Sequence, residues 1–285
     1  MPFPDFILGG APKSGTTALF NYLSQHPHVF VSDPKEPHFF AKHDPSHIVR
    51  GMNYSRDEYE ALFRNADAEQ KAGEASTGYL HHARHAAPKI KEMIPGARLL
   101  FLLRNPVDRA YSEYWFRLHT GDLPSSKPFS WYVDHPKHWV FHGSTSYLSG
   151  LRCFFNHFDR SQILVLLTDD LKRNRRDVFE QACRHIGVPD DIEIGLSFRH
   201  NVTRYPRFPQ ALQIAGHIAP GLSRWASNVP VLRPVRSRLL FSPQAPKPPM
   251  READRKRLAE RFADPIQELS RLIERDLSIW LTPSS

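Results

Sequence analysis

Cysteine is nearly absent from this 285-residue chain, with only Cys153 and Cys183 present. Both sit in apolar, helix-like surroundings (CFF and QAC), which reads as two buried free thiols rather than a disulfide framework or a metal cluster. A reducing cytoplasm fits that reading. No apolar run approaches the roughly 20 residues needed to cross a bilayer. The opening MPFPDFILGG has neither the basic start nor the long apolar centre of a secretory signal. Acids are missing from one long stretch: between Ile194 and Arg251 there is no Asp or Glu, against eight Arg and one Lys. The whole chain has a formal net charge of +8, so its basicity is concentrated there. Such one-sidedness suits an anionic cofactor or substrate, a nucleic acid or a membrane surface, and does not choose among them. There is also no internal repeat and no low-complexity tail. At this length the chain is one large α/β domain or two small ones, with about three quarters of its unfolded surface available for burial.

What is present is organised around Asp5 to Thr17, DFILGGAPKSGTT. Phe6, Ile7 and Leu8 form the short apolar run of a buried parallel strand. Gly9, Gly10, Ala11 and Pro12 break it, and Ala18, Leu19, Tyr22 and Leu23 then recur at helical spacing. A strand, a small-residue loop and a helix make a phosphate cradle: backbone N–H groups and the positive end of the helix macrodipole face the anion. Against the pattern G-x-x-x-x-G-K-[ST], Gly10 and Gly15 take the glycine places and Thr17 the final hydroxyl. Thr16 stands where the lysine belongs, and Lys13 lies three residues earlier, so it reaches a different oxygen of the bound group.

A second strand, Arg98 to Leu103, ends at Arg104-Asn105-Pro106. Asn105 is a good N-cap, Pro106 a good first helical residue, and Asp108 suits the first turn. A nucleotide hydrolase that holds Mg²⁺ ends the corresponding strand in Asp. A guanidinium there argues instead for direct recognition of a phosphate, with Ser112 adding a hydroxyl two turns into the helix. Between the two motifs, Val29-Phe30-Val31 reads as a short strand running into Ser32-Asp33-Pro34-Lys35-Glu36-Pro37-His38-Phe39-Phe40. The prolines on either side of Lys35-Glu36 forbid a helix and hold the pair in an extended or turn conformation.

These segments resemble the sulfotransferases that use 3′-phosphoadenosine 5′-phosphosulfate (PAPS). The first loop is similar to their 5′-phosphosulfate loop, P-K-[SAG]-G-[TS]-[TS], and Arg104 to Tyr114 matches their 3′-phosphate run, R-N-P-x-x-R-A-x-S-x-Y. Lys35 to Phe40 resembles the [KN]-E-x-H-F-F segment of the carbohydrate (heparan-type) members, and Gly73 to Tyr79 their G-E-x-[ST]-x-x-Y segment, which follows a strand and lines the acceptor side. Further likenesses lie at Thr168-Asp169-Asp170-Leu171 and at the closing R-D-L-S-x-W, Arg275 to Trp280.

The resemblance implies an α/β, P-loop-like sulfotransferase fold, a central mostly parallel sheet with helices on both faces, as one domain over residues 1–285. It implies PAPS as sulfuryl donor, bound by Lys13, Ser14, Gly15, Thr16, Thr17, Arg104 and Ser112. Arg204 or Arg207, in a segment that closes over the nucleotide in many bacterial relatives, adds a further arginine. Glu36 is the expected general base, with Lys13 and His38 also catalytic, and Lys35, Glu74 and Ser76 on the substrate side. No metal and no nucleic acid is expected. The acceptor is expected to be hydroxylated, or less favourably an amine: the Lys35 to Phe40 segment leans towards a sugar-containing molecule such as a carbohydrate or glycolipid, while glycopeptides and small hydroxylated metabolites stay open. Two other readings remain: a P-loop kinase, which needs an acid for Mg²⁺ and a lysine after Gly15, and a non-enzymatic basic binder of nucleic acid or membrane.

The rest of the chain reads as scaffold. Ser55 to Phe63, Tyr147 to Phe158 and a helix capped by Asn174 and closed by Gly187 carry apolar faces, and Gln162 to Leu167 is a buried strand. His81 and His85 share a helical face but lack a third ligand, so they read as exposed. Gly121 to Ser144 shows no sustained period. Residues 199–250 form an irregular, lid-like excursion, with six prolines between 228 and 250. Its aromatic and aliphatic residues interleave with arginines, a pattern suited to packing over the acceptor cleft or to peripheral membrane contact. Arg251 to Ala263 is helical, and Asp264-Pro265 predicts a kink or a fresh start.

Overall fold

The computed structural model describes residues 3–41, 54–120, 122–124, 126–136, 138, 141, 146–196, 205–206, 241–242 and 248–281. Chain contacts divide it into two compact units, one comprising Met1–Asn105, Thr145–His200 and Arg271–Glu274, the other Pro106–Ser144, Asn201–Ser270 and Arg275–Ser285.

The first unit holds a five-stranded sheet. Its strands are β1 (Phe6–Gly10), β2 (Val29–Val31), β3 (Lys71–Glu74), β4 (Arg98–Leu103) and β5 (Ile163–Leu167), in the order β2-β3-β1-β4-β5. All four pairings are parallel, as the expected fold requires. The centre is apolar on both faces. Along β4, Leu100 and Leu102 enter a cluster with Phe6, Leu8, Leu19, Phe179 and Ile186. Phe101 points the other way, with its ring centroid 4.8 Å from that of Phe154. Each such buried side chain contributes about 1.5–3 kcal/mol.

The helices of this unit are α1 (Thr16–Leu23), α2 (Arg56–Ala61), α3 (Ala83–Met93) and, numbered after the two helices of the second unit, α6 (Tyr147–His157), α7 (Thr168–Arg173) and α8 (Arg175–Ile186). Ser55 caps α2 through a reciprocal bond with Glu58, and Asn174 caps α8, which ends at a left-handed Gly187. Strand β3 was not expected within Lys71–Glu74: the segment thought to follow a strand contains its end. Its small residues hide it. A Cβ on Gly73 would sit 2.1 Å from the Phe6 ring, so the position is kept bare to seat a core aromatic rather than filled with a β-branched residue.

The second unit contains α4 (Pro106–Thr120), α5 (Phe129–Asp134), most of α9 (Glu252–Ile273) and the short antiparallel pair β6 (Tyr205–Pro206) and β7 (Phe241–Ser242). Helix α5 was not anticipated, because six residues are too few for a period to show. It forms around Phe129 and Tyr132, which pack against Tyr111 and Tyr114 of α4. The predicted break at Pro265 also does not start a new helix: α9 runs through it. Leu258, Phe262, Ile266, Leu269 and Ile273 keep one buried phase on both sides, and that burial offsets the roughly 3 kcal/mol cost of an internal proline. Cys183 is buried and Cys153 half-buried, both free. His85 is exposed, whereas His81 and His82 are half-buried.

Candidate active site

Each of the five parallel strands delivers a residue of interest at its carboxyl end, and the chain reverses direction across the sheet around β1, the place where open α/β sheets bind ligands. After β1 the backbone turns through Lys13, at φ 65°, and Gly15, at φ 97°. Gly15 is the N-cap of α1, and no side chain caps that helix. A Cβ at Gly15 would add left-handed strain and come 3.1 Å from Leu171.

The loop is held from beneath by β4 and β5. Ala11 N–H donates to Leu102 O at 2.9 Å, and Arg104 Nη1 donates to Lys13 O at 3.1 Å. Thr168 Oγ1, at the end of β5, lies 2.6 Å from Ser14 O and 2.9 Å from Leu103 O, and its one proton serves either carbonyl. Two polar atoms of the loop region are buried with no partner: Ser14 Oγ and Arg104 Nε. Buried donors are normally satisfied, so an orphan hydroxyl and an orphan guanidinium N–H beside an uncapped helix start fit an anionic group seated there. Lys13, Thr16 and Thr17 belong to the same turn and first helical residues.

After β2 the chain carries a compact charge cluster. Lys35 Nζ is 2.7 Å from Glu36 Oε1 and His38 Nε2 is 3.1 Å from Oε2. Thr77 Oγ1 also donates to Oε2, at 3.1 Å. Burial alone would raise the Glu36 pKa. The hydrogen bond from His38 and the charge and hydrogen bond of Lys35 outweigh it and hold the carboxyl at about 2. Facing an acceptor-only carboxylate, His38 presents Nε2–H, while its buried Nδ1 has no partner. Strand β3 separates β2 from β1, so the two loops leave the sheet about 10 Å apart at the usual strand spacing.

Beneath this cluster lies Glu74, wholly buried at the end of β3. Tyr59 and Tyr79 each donate to its Oε1 at 2.8 Å, and Ser76 Oγ donates to Oε2. Burial raises the Glu74 pKa, partly opposed by those three hydroxyls and by His38. Burial, with the carboxylate beside them, likewise pushes both tyrosines well above their ordinary pKa, which keeps them as neutral donors. The expected substrate contact of Glu74 has no surface on which to be made, because every face of its carboxylate is enclosed. Ser76 is equally enclosed.

The family model for the sulfotransferase domain matches residues 3–204. The chain belongs to the sulfotransferase domain family. Among curated relatives, the bifunctional heparan sulfate N-deacetylase/N-sulfotransferase 4 of Mus musculus is 24% identical over 297 residues, covering 98% of this chain and 31% of the relative. The chain spans about a third or less of the length of the first curated relatives it matches. A sulfotransferase from Alicyclobacillus acidocaldarius superposes with a TM-score of 0.72 at 24% identity, covering 98% of this chain and 99% of that one. A mouse sulfotransferase solved in complex with PAP gives a TM-score of 0.55 at 15% identity over 95% of this chain and 88% of that one. Both superpositions agree with the α/β fold expected from the sequence.

Within the sulfotransferase domain, the structure gathers Lys13, Ser14, Gly15, Thr16, Thr17 and Arg104 around one turn and Lys35, Glu36 and His38 into one cluster. Ser112 is a buried residue of α4, in the second unit. Arg204 and Arg207, with most of the basic excursion, lie outside the described residues. Sequence reasoning missed Thr168, Thr77, Tyr79 and Tyr59. Thr77 and Tyr79 stand within the Gly73 to Tyr79 segment already singled out, and Thr168 opens the Thr168-Asp169-Asp170-Leu171 run. Tyr59 carries no local signal, being simply the one buried residue of α2. Among the described residues no helix is long and apolar enough to cross a membrane.

Proposed function

We propose that the protein is a PAPS-dependent sulfotransferase that moves a sulfuryl group to a hydroxyl, or an amine, of a carbohydrate-containing acceptor. The observation that carries the reading is the Lys35-Glu36-His38 cluster, an ionised carboxylate gripped by two nitrogen donors, one strand away from a glycine turn with unsatisfied donors. The PAP bound by the mouse sulfotransferase supports the donor, and the heparan sulfate relative supports a sugar acceptor. The family match and the nearly full-length structural likeness support a single sulfotransferase domain.

When bound, the donor supplies a sulfuryl group on a phosphosulfate anhydride. Ser14, Gly15, Thr16 and Thr17 hold its 5′ end through loop amides and hydroxyls, and Lys13 stabilises charge on the phosphate oxygen that leaves. Arg104 is assigned to the 3′-phosphate, with Ser112 and Arg204 or Arg207 joining it on sequence resemblance alone. Glu36 takes the proton of the acceptor O–H as the new S–O bond forms and the old S–O bond to phosphate breaks, giving adenosine 3′,5′-bisphosphate (PAP) and the sulfated acceptor. A carboxylate held at about 2 is a weak base. A negatively charged donor nearby opposes the charge of Lys35, and the base strengthens when the donor is present. His38 keeps the carboxylate oriented, and Lys35 serves both carboxylate and sulfuryl group.

The free thiols support action in a reducing cytoplasm. A kinase reading finds no acid at the end of β4, where Arg104 stands. The test is incubation with PAPS labelled in the sulfate and a panel of oligosaccharides. Label appearing on sugar with release of PAP is expected; chelator-sensitive ATP turnover with no sulfate transfer overturns the proposal.

A further inference from the structure

The buried Glu74 is connected to the loop above it by two hydrogen-bond relays whose polarity is fixed. His38 N–H donates to Ser76 Oγ at 2.9 Å, so the hydroxyl proton of Ser76 is free to point at Glu74 Oε2. Phe40 N–H approaches Tyr79 Oη at 3.3 Å, and that hydroxyl in turn donates to Glu74 Oε1. One carboxylate therefore terminates two chains of donors that begin on backbone amides two residues apart. The residue between those amides, Phe39, stacks on Tyr59 with centroids 4.2 Å apart, and Tyr59 donates to the same carboxylate. His38 itself has φ 55°, a left-handed conformation that a non-glycine residue holds only when its surroundings impose it. That conformation aims Nε2 at Glu36.

We propose that Glu74 is a positioning residue for the sulfuryl-transfer site. As a buried anion, it orients Ser76 and Tyr79 so that they clamp the backbone of His38 and Phe40 and set the imidazole on the catalytic carboxylate. This rests on the reading of Glu36 as the base. The chemistry asks for an ionised carboxylate, since an acceptor-only group can terminate three O–H donors, whereas an amide or a carboxylic acid would turn one donor against another. It also accounts for placing an acid where nothing outside the protein can reach it.

The experiment uses the full chain and three variants: Glu74→Gln, Ser76→Ala, which deletes only the His38 relay, and Tyr79→Phe, which deletes only the Phe40 relay. Folding is checked by circular dichroism, PAP affinity by calorimetry, the His38 imidazole by ¹⁵N NMR (assigned with His38→Gln), and turnover by sulfate transfer. In Ser76→Ala the His38 signal is expected to move and kcat to fall about 10- to 10²-fold, as for a small displacement of a reacting group, with PAP affinity unchanged. Glu74→Gln is expected to show both effects at least as strongly, and Tyr79→Phe more weakly. In a Glu36→Gln background Ser76→Ala should cost almost nothing further, because the two act as one unit. A merely structural role would lower the melting temperature while leaving the His38 signal and kcat of the folded variant as they were, and that result overturns the proposal even if Glu74→Gln fails to fold. A His38 signal that moves as expected, in a protein whose wild type transfers no sulfate, supports the clamp and removes the base.

Discussion

In the proposed function the segment after β1 offers an anion its backbone amides, a small hydroxyl and a left-handed glycine, and it is braced by main-chain carbonyls bonded to Arg104 and Thr168. The segment after β2 presents long charged side chains, braced by a buried carboxylate through hydroxyl relays. In that proposal the first arrangement fixes the phosphate end of the donor, where charge builds on the leaving oxygen, and relies on geometry that only certain backbone conformations allow. The second, in the same proposal, handles a proton, and its strength as a base is set by the grip of Lys35 and His38 on Glu36. As proposed, binding and proton transfer are thus built from different materials after two strands that β3 separates, and single substitutions should separate them.

The sharpest separation is expected from Glu36→Gln. Loss of the base should lower kcat about 10²–10⁴-fold, while PAP affinity by calorimetry stays within about twofold; equal losses in both would merge the two regions into one. Gly15→Ala tests the other side. Left-handed strain of about 1–2 kcal/mol, together with the approach to Leu171, should weaken PAP binding about 10-fold and lower the melting temperature, leaving the Glu36 cluster as it is. Thr168→Val removes a hydroxyl that ties Ser14 O to β4, at about 1 kcal/mol of stability and a few-fold in PAP affinity by the same measurements.

The smallest effect concerns pH. His38 and Lys35 hold the Glu36 carboxyl at about 2 in the folded protein against an ordinary value of 4.5, so the stability it contributes is present above pH 4.5 and is lost as pH falls towards 2. Its side chain is 36% exposed, and screening limits that contribution to about 1 kcal/mol or less. Lys35→Ala removes one lowering partner, so the pH-dependent loss in acid-unfolding curves should still begin near pH 4.5 but be smaller and be complete at higher pH, while substitutions in the loop after β1 leave it as it is.

The two segments also differed in how openly the sequence displayed them. Gly9 to Thr17 is legible because its signals, glycine spacing, a strand before and a helix after, are local. Arg104 is legible for the same reason, at the junction of an apolar run and an Asn-Pro helix start. The foundation of the second segment is not local: Tyr59 comes from α2, Glu74 from a strand whose Lys-Ala-Gly-Glu sequence looks nothing like one, and Ser76 and Tyr79 from the turn after it. Each alone is an ordinary residue, and only the fold shows that they share one carboxylate. Pro265 differs in the opposite sense: of the kink and the fresh start that its local signal allowed, the fresh start does not occur, because an apolar stripe continues past it.

The central claim is that Lys13 and Arg104 serve a doubly phosphorylated adenosine in place of an acid and magnesium. Titration calorimetry of the purified protein with PAP and with AMP, both without divalent cations, tests it most directly. Tight PAP binding with AMP at least 10-fold weaker is predicted, on the scale of one lost charged hydrogen-bonding partner. Equal affinity for the two, or no binding of PAP, would contradict it.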